Sequence, residues 1–98
     1  LVTQHFTRRK TAEGDDLIEG WLRTALVAGQ RTVHAHVSFC PPFVGTPELE
    51  FEQADGPAAR VRLGQVLAYG ARFEVKLDAV GPAEVLIAFS ARGKRTGK

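Results

Sequence analysis

Alternation is the feature that most limits what this chain can fold into: apolar and polar residues change places every second position, in short runs cut off by Gly and Pro. The clearest run is 33–39. Val33, Ala35, Val37 and Phe39 share one face and His34, His36 and Ser38 the other, the period of a half-buried strand. The strand is expected to stop at Cys40, because Pro41 and Pro42 have no N–H for a ladder and hold the backbone extended. Phe43 then returns toward the core, and Gly45 to Pro47 turn the chain into the next run.

The pattern continues downstream. Leu49 and Phe51 face in while Glu48, Glu50 and Glu52 face out. Residues 54–57 read as a turn, with Gly56 supplying an unusual φ and Pro57 ending the strand. Residues 60–67 set Val61, Leu63 and Leu67 against Arg60, Arg62 and Val66. After a turn at 68–70, Phe73, Val75 and Leu77 alternate with Arg72, Glu74 and Lys76. Beyond the turn at 80–82, Val85, Ile87 and Phe89 are joined by Leu86 and Ala88. That last strand is apolar on both faces and is expected to be central or covered by a partner.

Residues 15–28 support two readings. Leu17, Ile18, Trp21, Leu22, Ala25 and Leu26 fit an i, i+4, i+8 helix over about 16–28, capped by Asp15 or Asp16 and ended by Gly29. The rival is a strand from about Ile18 to Val27 that turns at Gly29 into the run at 31–39 as a hairpin, and this is the preferred reading. Residues 1–14, with few apolar anchors, read as an irregular segment, and 92–98 as a basic flexible tail. The fold class that follows is all-β: a six-stranded antiparallel β-sandwich over 15–91, its strands spaced by roughly 11–13 residues. No βαβ alternation supports a parallel α/β sheet.

A chain of 98 residues holds one core. Its single cysteine makes no internal disulfide, and Cys40 is expected to be a buried, inert thiol. A 98-residue sandwich without disulfides, with one strand apolar on both sides, gains by burying that surface in a homo-oligomer. The net charge of +2 is concentrated at the ends, in Arg8–Arg9–Lys10 and the run from Arg92 to Lys98. No aromatic interleaves with the C-terminal run, which argues against nucleic acid as partner. No apolar run approaches the roughly 18 residues of a membrane span, so no membrane insertion is expected.

Candidate chemistry is sparse. His34 and His36 share a strand face about 7 Å apart, a spacing metal sites on β-scaffolds use, but no third ligand is placed, so no metal or other cofactor is expected. Arg60 and Arg62 share a face, as do Arg72, Glu74 and Lys76; cross-strand ion pairing is the plain reading and an arginine fork on a ligand the sharper one. Glu48, Glu50 and Glu52 form a carboxylate ladder suited to keeping a sheet edge soluble.

Val37-Ser-Phe39, Pro42-Phe43, Pro47-Glu-Leu49 and Asp55, with Arg62 before Val66, Gly70, Phe73 and Val85-x-Ile87-x-Phe89-x-Ala91, form a string that resembles the H-type lectin domain over about residues 17–91. The resemblance implies a six-stranded sandwich assembled as a trimer, with sites for N-acetylgalactosamine-like glycans between protomers. It also implies an arginine on the fourth strand that contacts the sugar, a role open to Arg60 or Arg62. Ligand contacts are thus expected at Arg60, Arg62 and Asp55, in a non-catalytic module. The family's aromatic–His pair before the last strand is replaced by Asp78-Ala-Val-Gly-Pro82. That replacement favours the alternative of a structural or assembly domain with no sugar site.

Overall fold

The computed structural model describes residues 2–94. Seven strands form: β1 (Val2–Lys10), β2 (Asp16–Leu26), β3 (Thr32–Ser38), β4 (Glu48–Asp55), β5 (Ala59–Leu67), β6 (Gly70–Leu77) and β7 (Ala83–Gly93), with no helix among the described residues. They make two antiparallel sheets in a sandwich-like arrangement, one of four strands in the order β1-β2-β7-β4 and one of three in the order β3-β6-β5. The inward sets are those the alternation assigns: Ala35 and Val37 on β3, Phe73, Val75 and Leu77 on β6, and Val85, Ile87 and Phe89 on β7 are all buried. Phe39 and Phe43 close one end, edge to face at 5.2 Å between ring centres. β7 lies between β2 and β4, the central place that a strand apolar on both faces requires.

The strand count corrects the expected six to seven. The additional strand is β1, in the stretch read as irregular. Its pattern was hidden because it is an edge strand held by polar contacts. Phe6 is its apolar contact with the core, edge to face on Phe89, while Arg8 also leans inward. Arg8 Nε donates to Asp16 Oδ1 at 2.9 Å, its Nη1 donates to the Pro41 carbonyl, and its guanidinium lies 5.1 Å over the Phe43 ring. The hydrogen bond to Asp16 raises the Arg8 pKa above its ordinary value, against the opposing effect of burial.

Residues 16–26 form a strand, so the helical alternative at 16–28 is set aside. The ambiguity has a geometric cause: positions 18, 22 and 26 share a face in a strand as well as in a helix. The hairpin into β3 is also corrected. β2 pairs with β1 and β7, whereas β3 pairs with β6 in the other sheet, so the turn at 27–31 crosses the sandwich. In that turn Gln30 Oε1 accepts the Val27 N–H at 2.9 Å.

A third correction lies in β5. The register slips between Leu63 and Gln65, leaving Gly64 as an extra residue. Parity reverses there: Val66, opposite buried Ala71, packs against the core, and Leu67 turns to the outer face. Cys40 is exposed rather than buried, because Phe39 takes the last inward place before the prolines break the strand. At the C-terminus Arg92 and Gly93 still belong to β7. The rest of the expected tail, 95–98, lies outside the described residues.

The two flanks of the sandwich differ. At the β1/β3 flank Gln4 Nε2 donates to the His36 carbonyl at 3.0 Å, and Arg8 reaches the loop after β3. At the β4/β5 flank neither strand carries a fully buried residue: Leu49, Phe51, Val61 and Leu63 are all half-buried.

Candidate functional site

Arg60 and Arg62 project from the outer face of β5, opposite Lys76 and Glu74 respectively. Both are exposed, and neither forms an ion pair among the described residues. Asp55 ends β4, and its Oδ1 accepts the Gly56 N–H at 2.8 Å, which fastens the corner into β5. These three residues do not converge on any depression described below. His34 and His36 stand on the outer face of β3; His34 Nε2 lies 3.6 Å from Glu74 Oε2. Among the described residues no group of three or more His, Cys, Asp or Glu side chains is placed to hold a metal ion.

The outer face of the four-stranded sheet is acidic on its β4 side. Glu50 and Glu52 border a trough of about 350 Å³ over Ala88 and Ser90. Trp21 lies on the same face, half-buried and cross-strand from His5, whose ring is nearly parallel to it at 6.0 Å. The Arg23 guanidinium lies 5.5 Å over the indole. With both neighbours on it, the indole acts as cover for its own sheet rather than as an open platform.

The arrangement best suited to a ligand is on the outer face of the three-stranded sheet, beside the β5–β6 turn. His36 and Ser38 of β3, Gln65 of β5, Arg72 of β6 and Tyr69 of the turn line a depression of about 150 Å³. Strand register builds it, since His36 and Gln65 both stand opposite Arg72, one on each side. The bulge supplies the room. A Cβ at Gly64 would stand 3.1 Å from Arg72 Nε and 3.3 Å from its Nη2, so the glycine lets the guanidinium lie closer to the backbone than a side chain there would. The turn is pinned from the neighbouring loop, with Phe39 N–H on the Tyr69 carbonyl at 2.9 Å and Phe43 N–H on the Ala68 carbonyl at 2.8 Å.

Like Arg60, Arg62 and Lys76 of this face, Arg72 forms no ion pair among the described residues; what sets it apart is an Nε–H shielded from solvent without an acceptor. A buried donor left unpaired is costly, and an acceptor from outside reaches it only if the side chain moves. Tyr69 is 63% exposed, presenting both ring and hydroxyl. Ser38 and His36 share no hydrogen bond among the described residues, so no Ser–His nucleophile pair is assembled.

Sequence reasoning placed Arg72 only as a neighbour of Glu74 and Lys76, and Tyr69 only as a turn residue. The signal that could have found them is Gly64, an isolated glycine inside a strand pattern, which marks a bulge and a close approach. Comparison with family models, with curated proteins and with solved structures returned no match.

Proposed function

We propose that this chain is a non-catalytic β-sandwich module that binds a carbohydrate, or a similar polar surface ligand, and acts as a homo-oligomer. The observation that carries the reading is the Arg72 guanidinium, without a carboxylate partner among the described residues, in one depression with the exposed Tyr69 ring. An arginine fork donates in a plane to hydroxyl or carboxylate oxygens, and a tyrosine offers a flat apolar face with a polar tip. His36, Ser38 and Gln65 add further hydrogen-bonding groups around the same space. At about 150 Å³ the depression is smaller than the roughly 300–1,000 Å³ of a drug-sized site, so it takes one terminal sugar or head group. One such site binds weakly, and several copies joined in an oligomer gain avidity without new contacts. The resemblance to the H-type lectin domain belongs to this proposal, with Arg72 in place of Arg60 or Arg62 as the sugar-contacting arginine.

A glycan-array screen followed by calorimetry tests it. Arg72→Ala and Tyr69→Ala are expected to weaken binding at least about tenfold, a loss of 1.4 kcal/mol or more. Arg60→Ala and Arg62→Ala are expected to leave the affinity of the single site, read by calorimetry, unchanged. A blank array for the unaltered protein would instead support a structural or assembly domain. That second reading is favoured by the residue 78–82 stretch, which offers no ring to a sugar.

A further inference from the structure

β4 and β5 are edge strands, one in each sheet, and the three residues 56–58 between them send β5 back antiparallel to β4. Each therefore presents an unpaired row of backbone N–H and C=O groups on the same flank of the sandwich. Between the two edges lie the half-buried Leu49, Phe51, Val61 and Leu63, so this flank is apolar along its middle. The outward charges are sorted by strand: Glu48, Glu50 and Glu52 on β4, Arg60 and Arg62 on β5. None of these five side chains forms an ion pair among the described residues. The opposite flank has no such character, being crossed by the Gln4 and Arg8 hydrogen bonds.

We infer that the β4/β5 flank is where two copies of this chain associate, β4 of one lying antiparallel beside β5 of the other about a two-fold axis that runs along the strands. Such an axis exchanges the two sheets, so each β4 meets a β5 and the contact forms twice. Strand direction is kept by the rotation, which leaves the pairing antiparallel. Outward faces also coincide, and the carboxylates of β4 then neighbour the arginines of β5. The same charges reject the alternatives, because β4 against β4 opposes carboxylates and β5 against β5 opposes guanidinium groups. In the dimer each four-stranded sheet continues into a three-stranded one, and the half-buried apolar row between the edges is covered. The inference deepens the self-association half of the proposed function and does not depend on the ligand half.

The test is a pair of charge reversals read by light scattering. Glu48→Lys/Glu50→Lys/Glu52→Lys and Arg60→Glu/Arg62→Glu each change only outward side chains. The unaltered protein is expected to be a dimer at micromolar concentration, each variant alone a monomer, and an equimolar mixture of the two variants a dimer again. A monomeric or trimeric unaltered protein, variants that remain dimeric, or a mixture of folded variants that stays monomeric would each overturn the inference. Should a variant fail to fold, the unaltered protein decides. Salt at about 1 M, where the Debye length is about 3 Å, is expected to weaken its dimer at least about tenfold. A dimer indifferent to salt would contradict the charge pairing. No ligand is needed in any arm, so a blank glycan array leaves this result standing, and a failed dimer leaves the sugar site to its own test.

Discussion

Thr24 and Asp16 sit on the inner face of the same strand, and both bury polar atoms, yet they stand in opposite energetic positions. Thr24 is wholly buried and its Oγ1 has no hydrogen-bond partner among the described residues. A desolvated hydroxyl without a partner costs about 1–3 kcal/mol, and valine fills nearly the same shape without it. Thr24→Val is therefore expected to stabilise the chain by about 1 kcal/mol and raise Tm by about 4–8 °C in a thermal melt. Asp16 is 4% exposed and held by Arg8, and breaking a buried pair by removing one member typically costs about 3–5 kcal/mol. The Arg8 side chain keeps 22% of its surface, which places Arg8→Met near the lower end, at about 3 kcal/mol by urea titration. A loss of only a few tenths would mean that solvent replaces the pair. The raised Arg8 pKa fixes the sign of its pH dependence. Its contribution is complete below the unfolded pKa and is lost only as pH climbs through the raised folded one, far on the alkaline side, so Arg8 itself makes stability no steeper near neutrality.

At the scale of elements, β1 shows how a strand forms without advertising itself. Gly20 on β2 faces Phe6 across the ladder, and a Cβ there would overlap the His5 carbonyl and the Phe6 backbone. Phe6 thus lies over a glycine and reaches Phe89 beyond it. Gly20→Ala is expected to push β1 away at a cost of about 1–3 kcal/mol. Hydrogen exchange would show it as lost protection in β1 with β2 and β7 still protected against each other. Unchanged β1 protection would mean that the strand shifts bodily to make room. Reading from sequence succeeded where alternation reports burial directly, as at Phe73, Val75 and Leu77 or at Val85, Ile87 and Phe89. It failed on β1, whose hold is backbone pairing, the Arg8 guanidinium, the Gln4 amide and a single apolar side chain, Phe6. It failed again on the partner of β2, because local spacing carries no information about which sheet a strand joins. The candidate site was hidden by the Gly64 bulge, which turns Leu67 outward and makes room for Arg72, whereas Arg60 and Arg62 announced themselves simply by alternating.

Across the whole molecule the two sheets depend on one shared core. The fold is long and narrow, 49 × 20 × 18 Å, and among the described residues the interior is a single layer of interdigitated side chains with no second cluster behind either sheet. Phe73 is the tie. It is fully buried on β6, with Phe51 of β4 at 5.3 Å and Phe89 of β7 at 6.1 Å between ring centres. One side chain of the three-stranded sheet thereby engages two strands of the four-stranded one. Truncating a buried phenylalanine costs about 3–5 kcal/mol, against a total stability of about 5–15 kcal/mol for a domain of ordinary size. Phe73→Ala is accordingly expected to lower Tm by about 12–40 °C. Unfolding should remain one transition, since neither sheet can bury its inner face without the other. Melts of the variant followed by far-ultraviolet circular dichroism and by Trp21 fluorescence check this together. Trp21 reports the four-stranded sheet alone, while circular dichroism reports all strands. Coincident curves at the lowered midpoint are the expected result, and a Trp21 transition that persists after the dichroism has changed would show that the four-stranded sheet stands by itself.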